Sequence, residues 1–224
     1  MTLDPGGDPV GDAAHVDGRV ERGNATRRLV LRRTMDVASV EGLGGLSIGR
    51  IAGELGLSKS GVFALFGSKE ELQLATVRAA RSVFVRRIVQ PALEVPEGLG
   101  RVLLLCDGYL EYSRGRVFPG GCFFIAVATE FAAREGAVRD AVALAREEWD
   151  RLVLDTLAGA RAVGDLREDA DVTQLAFELV ALMDMANTTS ALFGDESGYG
   201  RAARAVRERL RSAAAPGTGA PEPR

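Results

Sequence analysis

In 224 residues the chain has two cysteines, one histidine and one tryptophan, and each scarcity closes a possibility. Cys106 and Cys122 have neither CxxC spacing nor a Cys/His cluster around them, so no disulfide framework, zinc site or other metal centre is indicated, and no cofactor is expected. The sole histidine, His15, lies in the opening run MTLDPGGDPVGDAAHVDG, which has too little apolar surface to offset the entropy of ordering. A His-dependent catalytic site is therefore not expected. A Gly-rich phosphate loop and a nucleophile motif are absent too, so the sequence does not read as an enzyme. The same opening run lacks the basic and apolar regions of a signal peptide, and nowhere do eighteen apolar residues follow one another. These features predict a soluble, cytoplasmic protein with no membrane partner.

What is present is apolar residue at 46% of the chain, enough for a sizeable core, and a charge split hidden in the net −3. Residues 19–90 hold 13 Lys/Arg against 6 Asp/Glu, a local +7, while the remainder carries −10. Polyanion attraction depends on the local field, so the basic end is the candidate polyanion binder; a merely solvated basic helix surface is the other reading.

Apolar residues recur at three-to-four spacing almost throughout, and no period-two alternation persists, which predicts an all-α fold. Nine helices are expected, at about 24–41, 48–55, 59–66, 69–90, 98–114, 120–134, 136–163, 169–193 and 198–213. Pro91, Pro96, Gly98 and Gly100 mark a junction. The expected organisation is a disordered leader 1–20, a basic, polyanion-binding domain 21–92, a helical body 93–214 and a disordered tail 215–224, with the fourth helix free to bridge the two domains.

Ser47 precedes the periodic run Ile48, Ile51, Ala52, Leu55, so its hydroxyl can cap a helix; Gly56 stops that helix, Leu57 turns inward, and Ser58 caps the next. Two short helices joined by Gly56-Leu57-Ser58 have the spacing of a helix-turn-helix, with Ile51, Ala52, Leu55, Gly56, Leu57, Val62 and Phe66 as its core.

The run LSIGRIAGELGLSKSGVFALFGSKEELQLATV, with Thr26-Arg27 before it, resembles the DNA-binding domain of the TetR/AcrR family of regulators over residues 22–80. The resemblance implies that Lys59, Ser60, Gly61, Phe63 and Ala64 face a major groove, and that Thr26, Arg27, Ser47 and Lys69 hold DNA backbone. Phe63 stands where the family usually has Tyr and cannot make that hydroxyl contact; its ring packs on sugar or a thymine methyl, or belongs to the core. Ala64 replaces a larger family residue. Gly49 occupies a place often given to a base-reading Arg, and two readings stand for the adjacent Arg50: it reads bases instead, or it pairs with Glu54 four residues on.

In the body, Val172, Leu175, Leu179, Leu182/Met183 and Ala186 form one apolar stripe, and Tyr199, Ala202, Val206 and Leu210 another. The resemblance implies that these last two long helices pair with a second copy, making a homodimer that reads a near-palindromic operator in double-stranded DNA. Tyr109, Phe118, Cys122, Phe123, Trp149 and Phe177 either line a cavity for an apolar small molecule or form plain core. Asp184, Asn187, Thr188, Thr189 and Ser190 interrupt the stripe, to fix register or to orient a ligand. The function implied is a repressor released from DNA by an apolar effector. The alternative is an activator or an effector-independent DNA-binding regulator.

Overall fold

A computed structural model describes the backbone of residues 11–218 and the side chains of residues 21–218. Residues 1–10 and 219–224, and the side chain of His15, lie outside the described residues.

The first helix, α1 (Gly11–Glu41), begins well before the expected Asn24 and takes in residues assigned to a disordered leader. No proline falls within it, and Ala13, Ala14, Arg19, Glu21 and Arg22 favour helix, so it extends past the expected start despite Gly18 and Gly23. It ends at Gly42, whose φ of +80° suits a residue without Cβ and whose N–H donates to Ala38 O at 3.0 Å. Three serine caps then set the next boundaries. Ser47 accepts from Arg50 N to start α2 (Ile48–Glu54), Ser58 from Gly61 N to start α3 (Lys59–Phe66), and Ser68 from Glu71 N to start α4 (Lys69–Phe84).

Beyond Phe84 the chain makes a π segment (Val85–Val89) and runs without a break into α5 (Gln90–Leu93). Pro91 has no N–H, and its ring collides with a carbonyl one turn back, so widening the preceding turn lets the rod pass it. The expected stop thus becomes a distortion inside one continuous helix that spans the junction. The body follows as α6 (Leu99–Arg114), α7 (Phe123–Phe131), α8 (Ala137–Ala162), α9 (Val172–Phe193) and α10 (Ser197–Ala213). With α4, the π segment and α5 taken as one rod, the described residues hold nine helices and no strand; a single bridge, Leu166 to Ala214, ties the chain's end to the α8–α9 loop. Ala215 N donates to Asp165 O at 2.9 Å, so the described start of the expected disordered tail is held down.

One apolar core runs from head to body, from Val30, Leu43, Leu46, Ile51 and Leu72 to Tyr109, Phe118, Phe123, Leu157 and Leu179. The two stripes on the helices expected to pair with a second copy are buried inside the chain. Val172, Leu175, Leu179, Met183 and Ala186 are buried, as are Tyr199, Ala202, Val206 and Leu210, because α9 packs on α6, α8 and α10.

The 118–122 turn packs against the end of α1. Gly120 N donates to Ser39 Oγ at 3.1 Å, and a Cβ at Gly120 would collide with the backbone carbonyl of Ser39. Gly120→Ala is expected to destabilise the fold by about 1–3 kcal/mol, since backbone on both sides must move. Thermal melting should show a midpoint lowered by roughly 2–10 °C.

Candidate nucleic-acid interface and apolar cleft

The helix-turn-helix positions α3 by burying its inner face. Val62 and Phe66 enter the head core with Ile51 and Ala52, while Leu55 and Leu57 pack at its edge and Gly56 turns the chain at φ +64°. That leaves Lys59, Ser60, Gly61, Phe63 and Ala64 together on the exposed face. Phe63 is 53% exposed and so belongs to the surface, not the core. Lys59 lies over α2, where a Cβ added at Gly49 would sit 3.9 Å from its Cδ and Cε. The lysine stem thus runs alongside Gly49, a pairing of two helices that sequence spacing does not display.

Arg50 takes the ion-pair reading. Its guanidinium is held by Glu41 through both terminal nitrogens, one of them at 2.7 Å, and by Glu54 through Nε at 2.8 Å, while Arg33 pairs with the other oxygen of Glu54 at 2.6 Å. Hydrogen bonds from Arg50 hold the Glu41 carboxyl below its ordinary range; those from Arg33 and Arg50 do the same for Glu54. Carboxylates depressed in this way keep the network intact at neutral pH and release it only as pH falls through their lowered values.

The expected backbone contacts have internal partners. Arg27 donates from Nη1 to Leu65 O at 2.6 Å and lies 4.5 Å over the Phe66 ring, which fastens α1 to the end of α3. Lys69 Nζ donates to Gly44 O at 2.6 Å, Thr26 Oγ1 to Arg22 O at 2.9 Å, and Ser47 accepts from Arg50 N. The lysine ammonium and the guanidinium of Arg27 retain further donors for a phosphate.

A cleft of about 320 Å³ opens between the rod and α8. Cys122 and Trp149 line it as expected, joined by Phe84, Val85, Val89, Phe124, Ala145 and Leu152, with the Arg81–Glu148 ion pair at 2.5 Å and with Arg146, Arg151 and Asp155 as its polar lining. Of the other residues expected there, Tyr109, Phe118 and Phe123 are core behind the wall; Tyr109 stacks on Trp149 with centroids 5.7 Å apart. Phe177 does not line this cleft: it is 71% exposed and lines a neighbouring groove between α8 and α9 with Leu154, Ala176 and Val180. Phe84 closes on Trp149 edge-to-face at 5.1 Å. Its place at the end of α4 gives no hint of this in sequence, whereas Ala145, Trp149 and Leu152 share one face of α8 at helical spacing, a signal that could have found them. Burial pushes the Cys122 thiol up, and Cys106 up to about 12, so both stay protonated at neutral pH.

The polar residues of α9 knit the chain to itself. Asp184 accepts from Tyr109 Oη at 2.8 Å and Arg146 Nη2 at 2.7 Å; Asn187 Oδ1 accepts from Ser113 Oγ at 2.6 Å and Cys122 N at 2.9 Å. Arg116 donates to Ser190 Oγ at 3.1 Å.

Two family models match the chain. The one described as "Bacterial regulatory proteins, tetR family" covers residues 30–76, and "Tetracyclin repressor-like, C-terminal domain" covers residues 98–206. Among solved structures, a TetR transcriptional regulator from Chloroflexus aurantiacus superposes with a TM-score of 0.78 at 23% identity, over 87% of this chain and 98% of that one. A TetR-family regulator from Streptomyces coelicolor gives 0.71 at 24% identity, over 86% and 96%. AibR, solved with isovaleryl coenzyme A and operator DNA, gives 0.64 at 16% identity, over 80% and 97%. No curated protein matches the chain.

Proposed function

Because the chain belongs to the TetR family of transcriptional regulators, we propose that it is a homodimeric repressor that binds a near-palindromic operator through α3 and leaves it when an apolar small molecule enters the cleft. The observation that carries the DNA-binding part is the exposed face of α3. One ammonium, one hydroxyl and two positions with little or no side chain allow close approach to a groove, and Lys59 stands at the helix N-terminus, where free amides favour phosphate. Thr26, Arg27, Ser47 and Lys69 surround this face as backbone contacts. Arg50 takes part by bracing α2 against Glu41 of α1, with Glu54 of its own helix holding the guanidinium in place, so base reading falls to Lys59, Ser60 and DNA shape.

The dimer surface is the outer stripe of α9. Phe177, Met185 and Leu192 are 71%, 63% and 71% exposed and lie with Ala181 and Thr188 on one helix face, an apolar strip that association would cover. Two-fold pairing there would present two α3 helices to successive major-groove faces, about 34 Å apart for half-sites one turn apart. No helix among the described residues is long and apolar enough to cross a membrane, which agrees with a cytoplasmic regulator.

The open cleft favours an effector-responsive protein over an effector-independent one, whose cavity would be filled by side chains. AibR, similar in fold, was solved with both an acyl coenzyme A and operator DNA. The protein's only tryptophan lines the cleft, so its fluorescence reports occupancy directly. Apolar compounds that enter should quench Trp149 and, at a hundredfold excess over Kd, stabilise the fold by about 2.7 kcal/mol. Leu152→Arg should abolish both effects. Quenching and stabilisation that persist unchanged in Leu152→Arg would remove the cleft as the effector site.

A further inference from the structure

Besides the Gly120–Ser39 contact, the head is bolted to the body at a point that neither the DNA-reading face nor the cleft accounts for. Glu130, in the last turn of α7, reaches the turn between α1 and α2: Oε2 accepts from Leu43 N at 2.7 Å and Oε1 from Gly44 N at 2.8 Å. Arg134 steadies the carboxylate at 3.0 Å. The turn is shaped to admit it, since a Cβ on Gly42 or Gly44 would collide with its oxygens. The carbonyls of Leu43 and Gly44 are held from α4, Leu43 O by Gln73 Nε2 at 2.7 Å and Gly44 O by Lys69 Nζ at 2.6 Å.

A carboxylate accepting two backbone N–H groups makes strong, directional bonds, and this pair lies three residues before the Ser47 cap of α2. The opposite end of α7 is part of the cleft wall, through Cys122 and Phe124. A nine-residue helix about 12 Å long therefore has one end at the cleft and the other on the turn that launches the helix-turn-helix.

We infer that Glu130 is a positioning residue for DNA binding: its carboxylate sets the α1–α2 turn, and through it the attitude of α2 and α3. The inference rests on the DNA-binding reading of α3, and its test is arranged to separate the two.

The test is a double-substitution cycle on the full chain with Glu130→Ala and Gly44→Ala, the backbone of Gly44 not being in the left-handed region. Affinity is measured by fluorescence anisotropy against the duplex that the wild-type protein enriches from a random library. Amide exchange is followed in residues 43–55. Each single change should weaken binding about tenfold and speed exchange in 43–55, with exchange in α8–α10 unchanged. Gly44→Ala should add almost nothing once Glu130→Ala has vacated the space, because both remove the same clamp. Glu130→Gln, which retains one acceptor, should recover part of the loss. Wild-type affinity and wild-type exchange in both single variants would overturn the inference, as would fully additive losses. Should the wild type enrich no duplex, the DNA-binding reading fails, while the exchange cycle still decides whether Glu130 positions the turn.

Discussion

Lys59→Glu is expected to lower affinity for duplex DNA by two to three orders of magnitude and to leave the protein folded. Lys59 lies at the first turn of α3 on the exposed face, with its stem along Gly49 of α2. Loss of a charged hydrogen bond costs about 1.5–3 kcal/mol, and a carboxylate facing phosphate adds repulsion, for a total of about 3–4 kcal/mol. The acid is well tolerated by the helix itself, because negative charge suits a helix N-terminus. Lys59→Ala should cost about tenfold and make the dependence of log affinity on log salt shallower by about 0.9 for each phosphate no longer neutralised. Arg50→Ala is the contrasting case, since its guanidinium is already claimed by Glu41 and Glu54; its effect should be smaller than that of Lys59→Ala. Anisotropy titrations at several salt concentrations, with circular dichroism on the same samples, measure all three.

The second large effect is on assembly. Phe177→Glu combined with Met185→Glu should turn a dimer into a monomer in sedimentation or size-exclusion measurements. Both side chains are more than half exposed in the single chain, so the substitutions leave its core alone. Covering such a side chain is worth about 1.5–3 kcal/mol, and two-fold symmetry counts each loss twice. Four carboxylates against an apolar face add a desolvation penalty. A monomer offers one reading head, so DNA affinity should fall at least a hundredfold while the melting of the isolated chain is little changed. A dimer that survives the double substitution would place the interface elsewhere.

Much of the head is legible in the sequence because its determinants are local. Ser47, Ser58 and Ser68 cap the helices they precede, and the inward positions Ile51, Ala52, Val62 and Phe66 follow helical spacing. What is not legible depends on groups brought together by the fold. Arg50 finds Glu54 at a spacing one can read, but also Glu41 across the α1–α2 turn. Lys69 meets a carbonyl 25 residues away, and Glu130 meets amides 86 and 87 residues away.

The body poses a different difficulty, because α9 is apolar on two faces. Val172, Leu175, Leu179 and Met183 make one stripe, and Phe177, Ala181, Met185 and Leu192 another. Only the first is expected from the sequence; packing against α6, α8 and α10 is what turns it to the chain's own core and leaves the second exposed. Phe177 lines the groove between α8 and α9 and not the cleft of Cys122 and Trp149, since an aromatic residue on a neighbouring helix does not reveal which way it faces. Pro91 misleads in the other direction. A proline normally ends a helix, but a π segment of five residues absorbs it and the rod continues.

Gripping of double-stranded DNA by a dimer through α3 is directly measurable. Its most direct test is an anisotropy titration of the duplex enriched from a random library, repeated across a salt series with wild-type protein and Lys59→Glu. Wild-type protein should saturate at two protomers per near-palindromic duplex, with an affinity that falls steeply with salt, and Lys59→Glu should lose binding. Folded wild-type dimer that enriches no duplex, or that binds DNA equally well with Lys59→Glu, would contradict binding through α3.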